Sequence, residues 1–116
     1  MAEDRERCLE IVPLDDPDDT TCMTFVLKQE DHTLGNALRY MIMKNPDVTF
    51  CGYSVPHPSE PKINLRVQTN GVAATDALRK GLEDLQELCA HVQHNFEQKV
   101  ASFSEQDNSM SSQTEP

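Results

Sequence analysis

The chain has 116 residues, with 20 Asp and Glu against 10 Lys and Arg and a net charge of −10. That length suits one domain, and that charge argues against gripping a phosphate backbone, which requires Lys and Arg to release counterions. No apolar run approaches the roughly 18 residues of a membrane-crossing helix, and Met1-Ala2-Glu3-Asp4 offers neither the basic nor the apolar part of a secretory signal.

The acidity is unevenly placed. Residues 1–19 carry eight acids and two bases, residues 102–116 carry three acids and no base, and residues 20–101 are near balance with nine acids and eight bases. Within the first segment, residues 8–12 read as an edge strand that Pro13 ends, followed by the acidic turn Asp15-Asp16-Pro17-Asp18-Asp19. Thr21 to Gln29 alternates, placing Met23, Phe25 and Leu27 on one face of a strand.

Asp31-His32-Thr33 then supplies helix-capping oxygens. Leu34, Leu38, Met41 and Ile42 follow at helical spacing, and Asn45-Pro46 stops the helix. Gly35 in its first turn costs roughly 1 kcal/mol relative to alanine, so close approach of a second backbone is expected there. Val48 to Val55 reads as a further strand, and Pro56, Pro58 and Pro61 stiffen the connection to the cleanly alternating strand Lys62 to Thr69. Asn70-Gly71 turns the chain.

From Ala73 to Ala101 no proline interrupts a near-heptad stripe of Leu78, Leu82, Leu85, Cys89, Val92 and Phe96. A helix of that extent is about 43 Å long at 1.5 Å per residue. A globule of the remaining size is about 30 Å across, so part of the stripe should be covered by another chain. Residues 102–116 are polar, serine-rich and unpatterned, the composition of a disordered tail. The fold class is therefore α+β: a small mixed or antiparallel sheet with two helices on one face, the C-terminal one long.

Catalytic and metal readings are weak. Cys8, Cys22, Cys51 and Cys89 form no CxxC pair and read as reduced structural thiols. Glu87, His91 and His94 have a spacing that allows metal sharing on a helix, but they lie opposite the apolar stripe and no fourth ligand is near in sequence; a solvated face is preferred. Cys51 and His57 lie six positions apart in extended chain, and no group orients the imidazole as thiol catalysis requires. For Asp31 and His32, capping outweighs acid–base chemistry. No nucleotide-binding or zinc-protease motif occurs, so no cofactor and no metal is expected. The basic residues Lys62 and Arg66 are not interleaved with aromatics as in single-strand binders.

Two blocks carry a family resemblance. Glu30 to Arg39, EDHTLGNALR, resembles the signature helix of the alpha-like subunits of cellular RNA polymerases, including the bacterial alpha dimerisation domain. Phe50-Cys51-Gly52-Tyr53, His57-Pro58-Ser59-Glu60, Lys62-Ile63-Asn64 and Leu38-Arg39-Tyr40-Met41-Ile42 resemble most the small branch of that family shared by polymerases I and III. The resemblance spans about residues 20–101. It implies a non-catalytic subunit that pairs with the larger alpha-like subunit, forms the platform for the two largest subunits, touches neither nucleic acid nor membrane, and works in the nucleus and nucleolus. It also implies a dimer interface made by Thr33, Leu34, Gly35, Asn36, Leu38, Arg39, Met41 and Ile42 on the first helix, and by Leu78, Leu82, Leu85, Cys89, Val92 and Phe96 on the last, a stripe expected to pack partly on its own sheet and partly on the partner. The corresponding polymerase II subunit, a homodimeric regulatory or ligand-binding α+β domain, and a small metal-assisted hydrolase using Glu87, His91 and His94 are the alternatives.

Overall fold

The computed structural model describes residues 8–12 and 16–113, with side chains as far as Asn108. Pro13, expected to end the first strand, and the acidic residues before Cys8 lie outside the described residues. Chain order is β1 (Leu9–Ile11), β2 (Cys22–Lys28), α1 (His32–Met43), β3 (Val48–Ser54), β4 (Lys62–Thr69) and α2 (Ala74–Gln113). The chain divides into two compact units, residues 1–85 and residues 86–116.

The first unit is built on one antiparallel sheet of order β1-β2-β4-β3. Strand alternation and register together make its core. Phe25 stands opposite Leu65, which stands opposite Tyr53; Met23, Val67 and Cys51 form the next row, and Leu27 pairs with Ile63. Phe25, Ile63, Leu65 and Val67 are essentially inaccessible, and the helices close the same face through Leu38, Ile42, Ala74, Ala77 and Leu78. Each fully buried large side chain contributes about 1.5–3 kcal/mol. The opposite sheet face carries half-exposed polar residues such as Thr24, Asn64 and Gln68, the pattern of an antiparallel sheet with one solvated side.

Local chemistry sets the joints. Gln29, with φ of 62°, sits in the left-handed region between β2 and α1 and donates its N–H to Pro61 O at 2.7 Å. Asp31 caps α1, its Oδ1 accepting the Thr33 N–H at 2.9 Å. That bond and the Thr33 hydroxyl hold the Asp31 carboxyl below its ordinary range. The cap is thus intact at neutral pH and is lost as pH falls through the lowered value. Lys44 and Asn45 donate back to Met41 O and Ile42 O to end the helix, just before Pro46. The Asn70-Gly71 turn uses glycine where φ reaches 152°. From it, the Ala74 N–H reaches Thr20 O at 2.8 Å, tying the start of α2 to the entrance of β2.

The second unit is the rest of α2. The helix runs to Gln113, twelve residues beyond Ala101, and over residues 102–113 it replaces the disordered tail expected there; the last three residues of that tail lie outside the described residues. Residues 102–113 contain neither glycine nor proline, and elongating an existing helix costs far less than nucleating a new one. The complete helix has 40 residues.

Candidate dimerisation surface

The residues expected at an interface fall into three sets. Leu38 and Ile42 are 0 % exposed and Leu78 is 4 % exposed; they belong to the chain's own core and have no surface to offer a partner. Gly35 is likewise buried. A methyl group at its Cβ position would lie 2.8 Å from Tyr53 Cε2 and 2.9 Å from Cδ2. The close approach predicted for this glycine therefore exists, but its neighbour is an aromatic ring of β3 and not a second helix backbone. Substituting Gly35 disturbs the fold first, whatever it does to a partner.

On a 100° helical wheel, Leu34, Ala37 and Met41 share one flank of α1. All three are half-buried, leaving apolar surface open. The opposite flank carries His32, Asn36 and Arg39. The Arg39 Nε donates to Cys51 O at 3.2 Å, and His32 Nδ1 lies 2.8 Å from the Tyr53 hydroxyl with the two rings edge to face. Asn36 lines the same depression. Asn36 and Arg39 thus point toward the β3 side of the helix, away from its half-buried apolar flank, while Thr33 is exposed in the first turn.

The third set lies on α2. Leu85 is half-buried at the end of the first unit, and Leu82 is 41 % exposed. In the second unit Leu88, Val92, Phe96, Val100 and Phe103 are all exposed, rising to 68 % at Phe96 and 70 % at Phe103, and Cys89 is exposed among them. Singly exposed apolar residues are ordinary; a stripe with an aromatic residue in each of two successive heptads has the spacing that association faces of helices use. Its last member was missed in the sequence because Phe103 sits in a segment classed by composition as a tail. The signal was its heptad distance from Phe96.

Gly81, which with Leu88 widens the apolar stripe of α2 in the sequence, has a close neighbour that the stripe did not reveal. It is buried, and any Cβ there would collide with Ile42 Cγ1. This is the intimate contact of α2 with α1, and it lies inside the first unit. Burial pushes the Cys51 thiol up to about 11, partly offset by the Arg39 charge, so it stays protonated and inert at neutral pH. Among the described residues no group of three or more His, Cys, Asp or Glu is placed to hold a metal ion. His91 Nε2 and Asn95 Nδ2 instead lie 3.2 Å apart along the helix surface.

A two-layer α+β module with one polar sheet face and two helices on the other, the longer of them bearing an exposed apolar stripe, has the surface of a protein-association module. Residues 22–95 match the family model of the RNA polymerase Rpb3/Rpb11 dimerisation domain. The chain belongs to that family. It is 55 % identical over 112 residues to the DNA-directed RNA polymerases I and III subunit RPAC2 of Danio rerio, covering 95 % of this chain and 99 % of that protein. It is 54 % identical over 101 residues to the subunit of the same name from Saccharomyces cerevisiae, covering 86 % and 70 % of the two chains. In fold it resembles the crystal structure of DNA-directed RNA polymerase subunit L from Thermoplasma acidophilum, with a TM-score of 0.69, 18 % identity, and coverage of 84 % of this chain and 92 % of the other.

Proposed function

We propose that this chain is a non-catalytic subunit of DNA-directed RNA polymerases I and III that pairs one-to-one with the larger alpha-like subunit. The observation that carries the reading is identity of 55 % to a subunit so named, running nearly end to end in both chains. The module of about residues 20–101 supplies the pairing surface, and the pair forms the platform on which the two largest subunits are mounted. Work in the nucleus, in nucleolus and nucleoplasm, follows from that assignment.

The pairing surface consists of Leu34 and Met41 on α1 and of Leu82, Leu85, Cys89, Val92 and Phe96 on α2, extended by Val100 and, just beyond the module, by Phe103. Their open apolar area supports this choice. The net charge of −10 supports a subunit that leaves nucleic acid to others, and its one strongly raised thiol, Cys51, is buried, the reverse of what nucleophilic catalysis requires.

Co-expression with the larger alpha-like subunit tests the proposal. The expected product is a soluble complex with the mass of one copy of each chain. A tight homodimer that excludes the larger subunit would favour the homodimeric regulatory domain instead.

A further inference from the structure

Strand β3 forms one edge of the sheet: β4 lies on one side of it and, among the described residues, no strand on the other. A bare edge of seven residues exposes backbone donors and acceptors that invite an added strand. Here one outward carbonyl, that of Cys51, is taken by Arg39 Nε. No carboxylate pairs with Arg39 among the described residues, so its Nη groups, on an exposed side chain, remain available. The depression running between α1 and this edge is lined by His32, Asn36, Arg39, Phe50, Tyr53 and neighbouring β3 residues. In a chain with twice as many acids as bases, no carboxylate lines it. Phe50, 46 % exposed, covers Gly52 with its ring and adds an apolar shelf.

We infer that the outer edge of β3 receives an extended, acidic segment of another polypeptide, added as a fifth strand, with one of its carboxylates held by the Arg39 guanidinium. The backbone edge supplies affinity without sequence preference, and the planar guanidinium supplies the charge preference and a bidentate geometry. An extended peptide satisfies both features at once. A nucleic-acid strand would need a train of cations along its phosphates, and the depression has one guanidinium. The groove lies on the flank of α1 opposite Leu34 and Met41, so the inference stands apart from the heterodimer reading, and the larger alpha-like subunit is not required for its test.

The test uses the full chain and three fluorescein-labelled ten-residue peptides. One alternates Thr with Glu, one alternates Thr with Lys, and one repeats the Glu peptide with N-methyl groups on alternate residues to remove ladder donors. The Glu peptide is expected to bind at least tenfold tighter than either control and to move the amide resonances of Cys51 and Tyr53. Arg39→Glu should reverse the preference between the Glu and Lys peptides, whereas Arg39→Lys should retain it in weakened form. The amide spectrum of each variant reports whether the fold survives. Equal affinity for the Glu and Lys peptides, tolerance of N-methylation, no binding at millimolar peptide, or resonance shifts confined to α2 would each overturn the inference.

Discussion

Replacing Val92 and Phe96 together with glutamate is expected to lower affinity for the larger alpha-like subunit by at least a thousandfold, while the isolated chain keeps its helix content and thermal midpoint. Both side chains are more than half exposed, at 59 % and 68 %, so the free protein loses little by their removal. Covering them on association is worth about 1.5–3 kcal/mol each, and a carboxylate in their place must be desolvated without a partner. A loss of about 4 kcal/mol corresponds to roughly a thousandfold in Kd. Isothermal titration of the purified larger subunit into wild-type and variant chains measures it. Unchanged affinity would show that the stripe faces solvent in the complex.

The second large effect is expected at Gly81. Elsewhere in a helix, glycine to alanine gains up to about 1 kcal/mol from propensity. Here the added methyl meets Ile42 Cγ1, and Ile42 is itself 0 % exposed, with no free volume to retreat into. Overpacking of this kind costs about 1–3 kcal/mol, so Gly81→Ala is expected to come out net destabilising by about 1 kcal/mol, and Gly81→Val by more. Urea denaturation reads the difference. In a double-mutant cycle with Ile42→Ala the two changes should be strongly non-additive, because removing the isoleucine branch vacates the space that the methyl needs. A stabilised Gly81→Ala would mean that the helices separate easily at this point.

Gly81 also shows where sequence reading stops. The strands were legible because alternation is a property of each segment alone: Met23, Phe25 and Leu27, and then Ile63, Leu65 and Val67, face the core as their periodicity requires. The Asp31 cap was legible for the same reason, since donor and acceptor lie two residues apart. Gly35 and Gly81 are helical glycines whose reasons lie at long range, in Tyr53 and Ile42. For Gly35 the unfavourable propensity pointed to a close neighbour without identifying it. The α1 stripe could be recognised as apolar, but not divided: Leu38 and Ile42 turn inward to the sheet, Leu34 and Met41 keep open surface, and only the packed arrangement distinguishes them. Arg39 gave no local sign that its Nε would tie α1 to the edge of β3. The end of α2 was misread because composition outweighed periodicity, although Val100 and Phe103 continue the spacing of Val92 and Phe96.

The chain's acidity acquires a location by the same route. Residues 20–101, which hold β2, β3, β4, α1 and most of α2, are almost neutral, and the charge lies on the flanks that carry β1 and the end of α2. A near-neutral module with apolar surface in excess of its own needs is suited to burial among other subunits, and the net charge of the whole chain conceals this.

Cys89 provides the most direct measurement of the central claim, that the α2 stripe is the heterodimer surface. Its thiol is exposed within the stripe, whereas the buried Cys51 serves as an internal standard. Peptide-resolved alkylation at pH 8 is expected to modify Cys89 rapidly in the free chain, at least tenfold more slowly in the one-to-one complex with the larger alpha-like subunit, and Cys51 only after unfolding. Equal Cys89 rates in the free chain and in the complex would contradict the account.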